Sequence, residues 1–364
     1  MLWVMKVALV ADSQWLLYEL PILRRLVVGL LDEQMPVVRV VPQWWVDTEE
    51  NLAMTGESLP YATTKWRWLR DRRLRQLADR LRSADVDLIH VLDGSLQRVG
   101  LDMARALNLP VIVSVWSRAF ADTVSPDSRG VTVACAVATQ DLVERCRRRM
   151  GPGTTVVRIP PGVYRADESV EPPLRSPTES LNIVVMGDGR LDRYYEALME
   201  GMVRTRAKLP HAMYFFYSVD ADQHAIWQHA RRLDLLNQIT LVPVDPATRD
   251  LMIRADVMIQ PQPLGRARTL ILEAMAAGRP IIATEDPVLD YLRANETAAL
   301  MPHAVPDAWA TLLAQLVIEP ARFIALGESA RQYVNTHHTA SQFIARTMEL
   351  YQQVVTPTAL PFPK

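Results

Sequence analysis

One glutamate, Glu273, lies in a helix-favouring run from Thr269 to Ala277, and two arginines, Arg266 and Arg268, come just before it. A carboxylate offers acceptors for a vicinal diol, and guanidinium forks take phosphate oxygens in pairs. Thr269 and Leu270 open the helix, at the end where the backbone dipole favours an anion. A helix N-terminus that favours phosphate, with a glutamate one turn in, makes a nucleotide site one reading of this stretch; a solvated first-turn glutamate and loop arginines on a cleft rim are the other. A second set lies upstream in LNIVVMGDGRLDRYYEALMEGMVR, where an apolar run meets a turn with Gly187 and Gly189 and leads into a helix carrying Arg190 and Arg193 near its start.

Both sets need the same scaffold. Val257 to Ile259 form an apolar run that stops at Pro261; Gly278-Arg279-Pro280 closes the helix, and a second apolar run reaches Thr284. That is strand, loop, helix, turn and strand, which sets the loop above the strand ends. The pattern recurs along the chain. Leu2–Ala11 is expected as a buried first strand, with an amphipathic helix over about Leu16 to Leu31 and a strand over Val37 to Val41. Further strands are expected in DVDLIHVLDG, LPVIVSVWS, VTVACAV, VVRIPPGVY, AMYFFYSV and QITLVPV, with helices between them. A helix over Pro287 to Arg293, a strand near Ala298 to Met301 and three apolar-periodic segments complete the chain.

The length, 364 residues, suits two domains, and 49% hydrophobic with 22% charged residues is a soluble globular composition. Net charge is −1, so no global pull toward nucleic acid exists, and no nucleic-acid partner is expected. Cys135 and Cys146 have neither metal spacing nor disulfide density, which suits reduced thiols in the cytoplasm. The apolar N-terminus ends at Asp12, short of a membrane span. The histidines have no metal spacing, and no metal or cofactor is expected.

Residues Lys65 to Arg82, KWRWLRDRRLRQLADRLR, place Trp66, Leu69, Leu77 and Leu81 at helical spacing among many arginines. Two readings stand: a core-facing surface helix with solvated arginines, or a peripheral contact with an anionic inner-membrane face.

The segment Glu273 to Thr284, EAMAAGRPIIAT, resembles the glycosyltransferases of the GT-B fold, in particular the retaining family four that uses nucleotide-sugar donors. VVRIPPGVY is similar to that family's Ile-Pro-Asn-Gly-Val signature, and His90 falls on a histidine of its Asp-Val-Val-His. The resemblance implies an α/β chain with two Rossmann-like, doubly wound parallel-sheet domains facing a cleft. It implies an acceptor-side domain over 1–165, a donor domain over 180–338, and a final helix from 339 that crosses back to the first. The Pro- and Ser-rich stretch near 165 to 180 marks the boundary.

By that resemblance Glu273 holds the ribose hydroxyls, while Gly187, Arg190, Arg193, Thr269 and Leu270 surround the donor; Arg266 and Arg268, with Ala267, replace the family's Gly-Phe-Gly and are read as phosphate clamps that make up the lost charge. Four features depart from the family. Trp116 stands where a histidine lies beside the donor sugar, Asp188 where an arginine binds diphosphate, and Gly265 where a first glutamate belongs. The first turn, Asp12-Ser13-Gln14, has no glycine.

Two function classes follow. One is a retaining glycosyltransferase moving a sugar from a nucleotide diphosphate to an acceptor hydroxyl on a glycan, lipid or small molecule. The other is a catalytically impaired member that binds a nucleotide or a protein partner. A dinucleotide dehydrogenase is disfavoured because no Gly-x-Gly-x-x-Gly follows the first strand.

Overall fold

The computed structural model describes residues 5–61, 67–125, 130–166, 173–174, 176–218 and 223–355. The chain divides into two compact units, Met1–Gly162 with Ala340–Lys364, and Val163–Thr339. The two crossings lie side by side within the second unit: Val163 pairs with Thr339 as an isolated bridge, and its N–H donates to the His338 carbonyl at 2.8 Å.

The first unit runs β1 (Val7–Val10), α1 (Ser13–Asp32), β2 (Val37–Pro42), α2 (Glu49–Leu52), β3 (Glu57–Tyr61), α3 (Arg67–Ser83) and β4 (Leu88–Val91). It continues with α4 (Gln97–Leu107), β5 (Val111–Val115), α5 (Arg118–Ala121), β6 (Val133–Val137), α6 (Gln140–Met150) and β7 (Thr155–Arg158). Its strands form a seven-stranded parallel sheet in the order β3-β2-β1-β4-β5-β6-β7. Strands such as VALV and VIVSV are buried throughout, as a sheet with both faces covered requires. Pro21 sits inside α1, which kinks at Glu19 (φ −122°, ψ 19°) because proline removes an N–H and crowds the preceding turn.

The edge strand β3 carries no clear apolar alternation in the sequence, and what holds it is Arg39. This guanidinium is 2% exposed and donates to Asn51 Oδ1 (3.1 Å), Ser58 Oγ (2.8 Å) and the carbonyls of Met54 and Gly56 (3.2 Å each), gathering the 51–58 loop around one buried cation. Pro60 is tolerated because β3 is an edge strand.

In α3, Leu77, Ala78 and Leu81 are buried in the core beneath β1, β2 and β4, while Asp71, Arg72, Arg73, Arg75, Arg80 and Arg82 are exposed. The described part of the apolar stripe, Leu77 and Leu81, is therefore spent on the protein's own core. Lys65 and Trp66 lie outside the described residues.

The second unit contains β8 (Leu181–Met186), α7 (Arg193–Thr205), β9 (Ala212–Ser218), α8 (Gln223–Arg232), β10 (Ile239–Pro243), α9 (Pro246–Ile253) and β11 (Val257–Gln260). After these come α10 (Thr269–Ala276), β12 (Ile281–Thr284), β13 (Ala299–Met301), α11 (Pro306–Ile318) and α12 (Pro320–His337). The last helix, α13 (Ala340–Val355), returns to the first unit. The second sheet has six parallel strands in the order β10-β9-β8-β11-β12-β13.

The helix expected over Pro287 to Arg293 does not form. Asp286 accepts the Val288 N–H at 3.0 Å through Oδ1, Leu289 N–H bonds back to the Asp286 carbonyl at 2.9 Å, and Thr297 Oγ accepts from Arg293 N–H at 2.8 Å. Side-chain acceptors capture these N–H groups, so consecutive turns replace helical hydrogen bonds.

Candidate functional site

In an open parallel sheet, the crevice for a ligand opens where the strand order reverses. In the second unit that point lies between β8 and β11, paired in register from Val257–Ile183 to Ile259–Val185. Two loops leave there: Gly187–Asp192 after β8, and Pro261–Arg268 after β11. Of the residues singled out in the sequence, Gly187, Asp188, Arg190, Arg193, Gly265, Arg266, Arg268, Thr269, Leu270 and Glu273 lie in these loops or in the first two turns of the helices they feed. Trp116 belongs to the first unit.

Gln262, which the sequence reading passed over, ties the two loops together. Its Oε1 accepts the Asp188 N–H at 2.9 Å, and its Nε2 donates to Asp188 Oδ1 at 3.0 Å and Asp192 Oδ2 at 2.9 Å. The amide is 2% exposed, so these bonds are made in a low-dielectric setting. Gly187 is required beneath it, because a Cβ there would stand 2.0 Å from the Tyr195 hydroxyl and 2.5 Å from Gln262 Oε1.

The Asp188 carboxylate also accepts the Arg190 N–H at 2.9 Å. It is thus a turn-forming acceptor inside its own loop. Asp192 caps α7 by accepting from Tyr194 and Tyr195 N–H at 3.0 and 3.1 Å. Arg190 and Arg193 are exposed, and Arg193 lies over the Tyr194 ring, 4.8 Å from its centroid.

In the second loop, Gly265 has φ +60°, and its N–H donates to Asp286 Oδ2 at 2.6 Å. The left-handed backbone here suits glycine, which gives the position a conformational reason for lacking a side chain. Arg266 is half-buried and Arg268 is buried; the Arg268 peptide is held by Tyr291, whose hydroxyl accepts its N–H and donates to its carbonyl, both at 3.2 Å. The turns over 286–293, where a helix had been expected, are what bring Asp286 and Tyr291 to this loop. Thr269 and Leu270 are buried in the first turn of α10.

Glu273 is not a solvated first-turn residue: its side chain is 10% exposed, and its Oε2 accepts from Arg249 Nε at 2.7 Å. Arg249, on α9, is 7% exposed and also donates from Nη2 to Thr269 Oγ at 2.8 Å. No local spacing advertises this pair, since its members are 24 residues apart and meet only when α9 packs beside α10.

In the first unit, Asp12 replaces a glycine turn by capping α1: Oδ1 accepts the Trp15 N–H at 2.6 Å, and Oδ2 accepts from Ser95 Oγ. Trp116, buried after β5, meets Trp15 edge-on with centroids 6.2 Å apart. His90 is buried between Tyr351 (Nδ1 to hydroxyl, 2.6 Å) and Ser114 (Nε2 to Oγ, 2.8 Å), and burial pushes its pKa down to about 3. It therefore remains neutral and joins α13 to the sheet. Among the described residues no group of three His, Cys, Asp or Glu side chains gathers that could hold a metal ion, and no single helix is long and apolar enough to cross a membrane.

The two parallel-sheet units have the GT-B fold. The protein HepE of Anabaena, solved with UDP and glucose, superposes with a TM-score of 0.73 over 96% of this chain and 99% of its own at 12% identity. Sucrose-phosphate synthase of Thermosynechococcus elongatus gives 0.73 over 96% and 98% at 16% identity. Residues 206–319 match the family described as Glycosyl transferases group 1. That region contains Arg249, Gln262, Gly265 and Glu273, and begins after Asp188 and Arg193. A D-inositol 3-phosphate glycosyltransferase of Rhodococcus opacus is 30% identical over 122 residues, which span 32% of this chain and 27% of that enzyme.

Proposed function

We propose that this chain is a glycosyltransferase that binds a nucleotide-diphosphate sugar on its second unit and transfers the sugar to an acceptor hydroxyl with retention of configuration. The observation that carries the reading is the position of Glu273, one turn into α10 beside the β8–β11 reversal; we assign its carboxylate to the ribose diol of a nucleotide entering from the loops. The family match over 206–319 and the UDP held by the Anabaena protein support the choice of ligand.

Exposed Arg190 and Arg193, half-buried Arg266 and the positive end of α10 supply the charge that a departing diphosphate needs as its bond to the sugar breaks. Asp188 opposes this less than its charge suggests, because its carboxylate accepts from Gln262 and from a backbone N–H. For this reason we rank transfer above a purely binding role.

The acceptor side is assigned to the first unit. Its strand order also reverses between β1 and β4, where Asp12, Ser95 and the exposed Trp44, bonded through Nε1 to Ser13 Oγ at 3.0 Å, present hydroxyl-binding groups beside an open indole. We place the protein in the cytoplasm, with the exposed arginines of α3 available to an anionic membrane surface.

The deciding experiment follows thermal melting with UDP, GDP and ADP, each alone and as nucleotide sugar, and then donor hydrolysis with the best ligand. A ligand that binds only the folded state raises the melting temperature. If none of these raises it, the reading is wrong.

A further inference from the structure

A carboxylate taken out of water needs a counter-charge, or it will take up a proton and lose half its value as an acceptor. Glu273 has such a partner in Arg249, and the arrangement is more specific than charge balance demands. The guanidinium meets Glu273 with Nε and Thr269, one helical turn earlier on α10, with Nη2. One planar fork therefore spans two side chains on the same helix face, which fixes the rotation of the glutamate as well as its ionisation. An ionised carboxylate has about four lone-pair directions, so a guanidinium contact does not exhaust its capacity to accept from a diol.

We propose that Arg249 is the positioning residue of the nucleotide site: by bridging Glu273 and Thr269 it presents an ionised, fixed carboxylate, and so makes the site selective for nucleotides that carry both ribose hydroxyls. This rests on the assignment of Glu273 to the ribose made above, and extends it to a residue on a different helix.

The test uses the full chain and whichever of UDP, GDP and ADP gives the largest melting shift, compared with its 2′,3′-dideoxy counterpart by calorimetric titration. The original protein is expected to prefer the ribonucleotide by about tenfold or more, as two hydrogen bonds to a charged group imply. Arg249→Met is expected to lose most of that preference, whereas Arg249→Lys, which keeps the charge and one donor, retains more of it than the methionine variant. A protein held together by Arg249 for stability alone would melt lower yet keep the ratio.

An Arg249→Met protein that discriminates as sharply as the original overturns the proposal. Should that variant not fold, Arg249→Gln is read by the same criterion. A lysine variant no better than the neutral ones also counts against it. The assignment of Glu273 itself fails in a different way: the original protein and Glu273→Gln would then show the same ribo-to-dideoxy ratio, whatever Arg249 does.

Discussion

The hydroxyl of Tyr351, on the last helix, lies 2.6 Å from Nδ1 of His90, on a central strand of the first sheet, and the two rings meet edge-on at 83°. A buried imidazole held neutral in this way makes folding sensitive to acid. Its folded pKa, about 3, lies below the ordinary value of 6.5, so between these pH values the unfolded chain binds a proton that the folded chain refuses. The stabilisation is complete above pH 6.5 and is lost as pH falls toward 3, at ~1.4 kcal/mol per unit. Urea unfolding at pH 7 and pH 5 should therefore show the original protein losing about 2 kcal/mol more than His90→Gln does. Equal losses would mean that His90 takes up its proton in the folded state.

Glu273→Ala should remove nucleotide binding worth about 1.5 to 3 kcal/mol. The sequence alone suggests little effect on stability, but the ion pair changes that expectation. Deleting the carboxylate leaves a guanidinium at 7% exposure without its main counter-charge, a situation that costs ~3 to 5 kcal/mol. Denaturation and titration of the same variant would separate the two effects.

Gly187→Ala is expected to disturb the loop tie more than a single methyl suggests. The new Cβ must displace the Tyr195 hydroxyl or the Gln262 amide, and overpacking of this kind costs about 1 to 3 kcal/mol. Nucleotide affinity should fall together with stability. A variant that melts normally and binds normally would show that Gln262 moves aside without consequence.

Introducing the residues of the resembled glycosyltransferases should be least rewarding at Asp188. Asp188→Arg removes an acceptor used by Gln262 and by the Arg190 N–H, so the loop loses its turn as it gains a cation. Gly265→Glu meets a left-handed backbone that costs a non-glycine residue ~1 to 2 kcal/mol. Trp116→His opens space beside Trp15. Transfer and donor hydrolysis are expected to stay level or fall in the first two variants; a large gain in either would mark these positions as losses of activity in the present chain.

Cys135 and Cys146 are fully buried, and burial pushes both thiols up to about 12. Neither should react with a disulfide reagent at pH 8 until the chain unfolds, when both become accessible. Rapid modification of the native protein would place them at the surface.

The parts of the candidate site differ in how far they can be read from the residues. Apolar runs and glycine punctuation were enough to locate β11, α10 and β12, because Gly278 (φ +70°) ends the helix through local chemistry that the sequence displays. The loops were found for the same reason. Their internal wiring was not, since Arg249 with Glu273, Gln262 with Asp188 and Gly265 with Asp286 are contacts across 24, 74 and 21 residues, set by which strands neighbour one another. The composition over Pro287 to Arg293 permits a helix, and only the acceptors Asp286 and Thr297 decide for turns instead. Edge strand β3 escaped notice because its stabiliser is a buried arginine twelve or more residues away rather than a pattern of its own.

The return of α13 to the first unit sets an order on synthesis. Leu350, Tyr351 and Val354 are buried parts of that helix, and Gly29 on α1 is kept small by Ile344, which would stand 2.6 Å from a Cβ there. The second unit is a single uninterrupted stretch of chain, so all of its strands and helices are made before α13. The first unit, although its strands are made earlier, lacks its packing on α1 and β6 until α13 is added, so its core closes after that of the second unit.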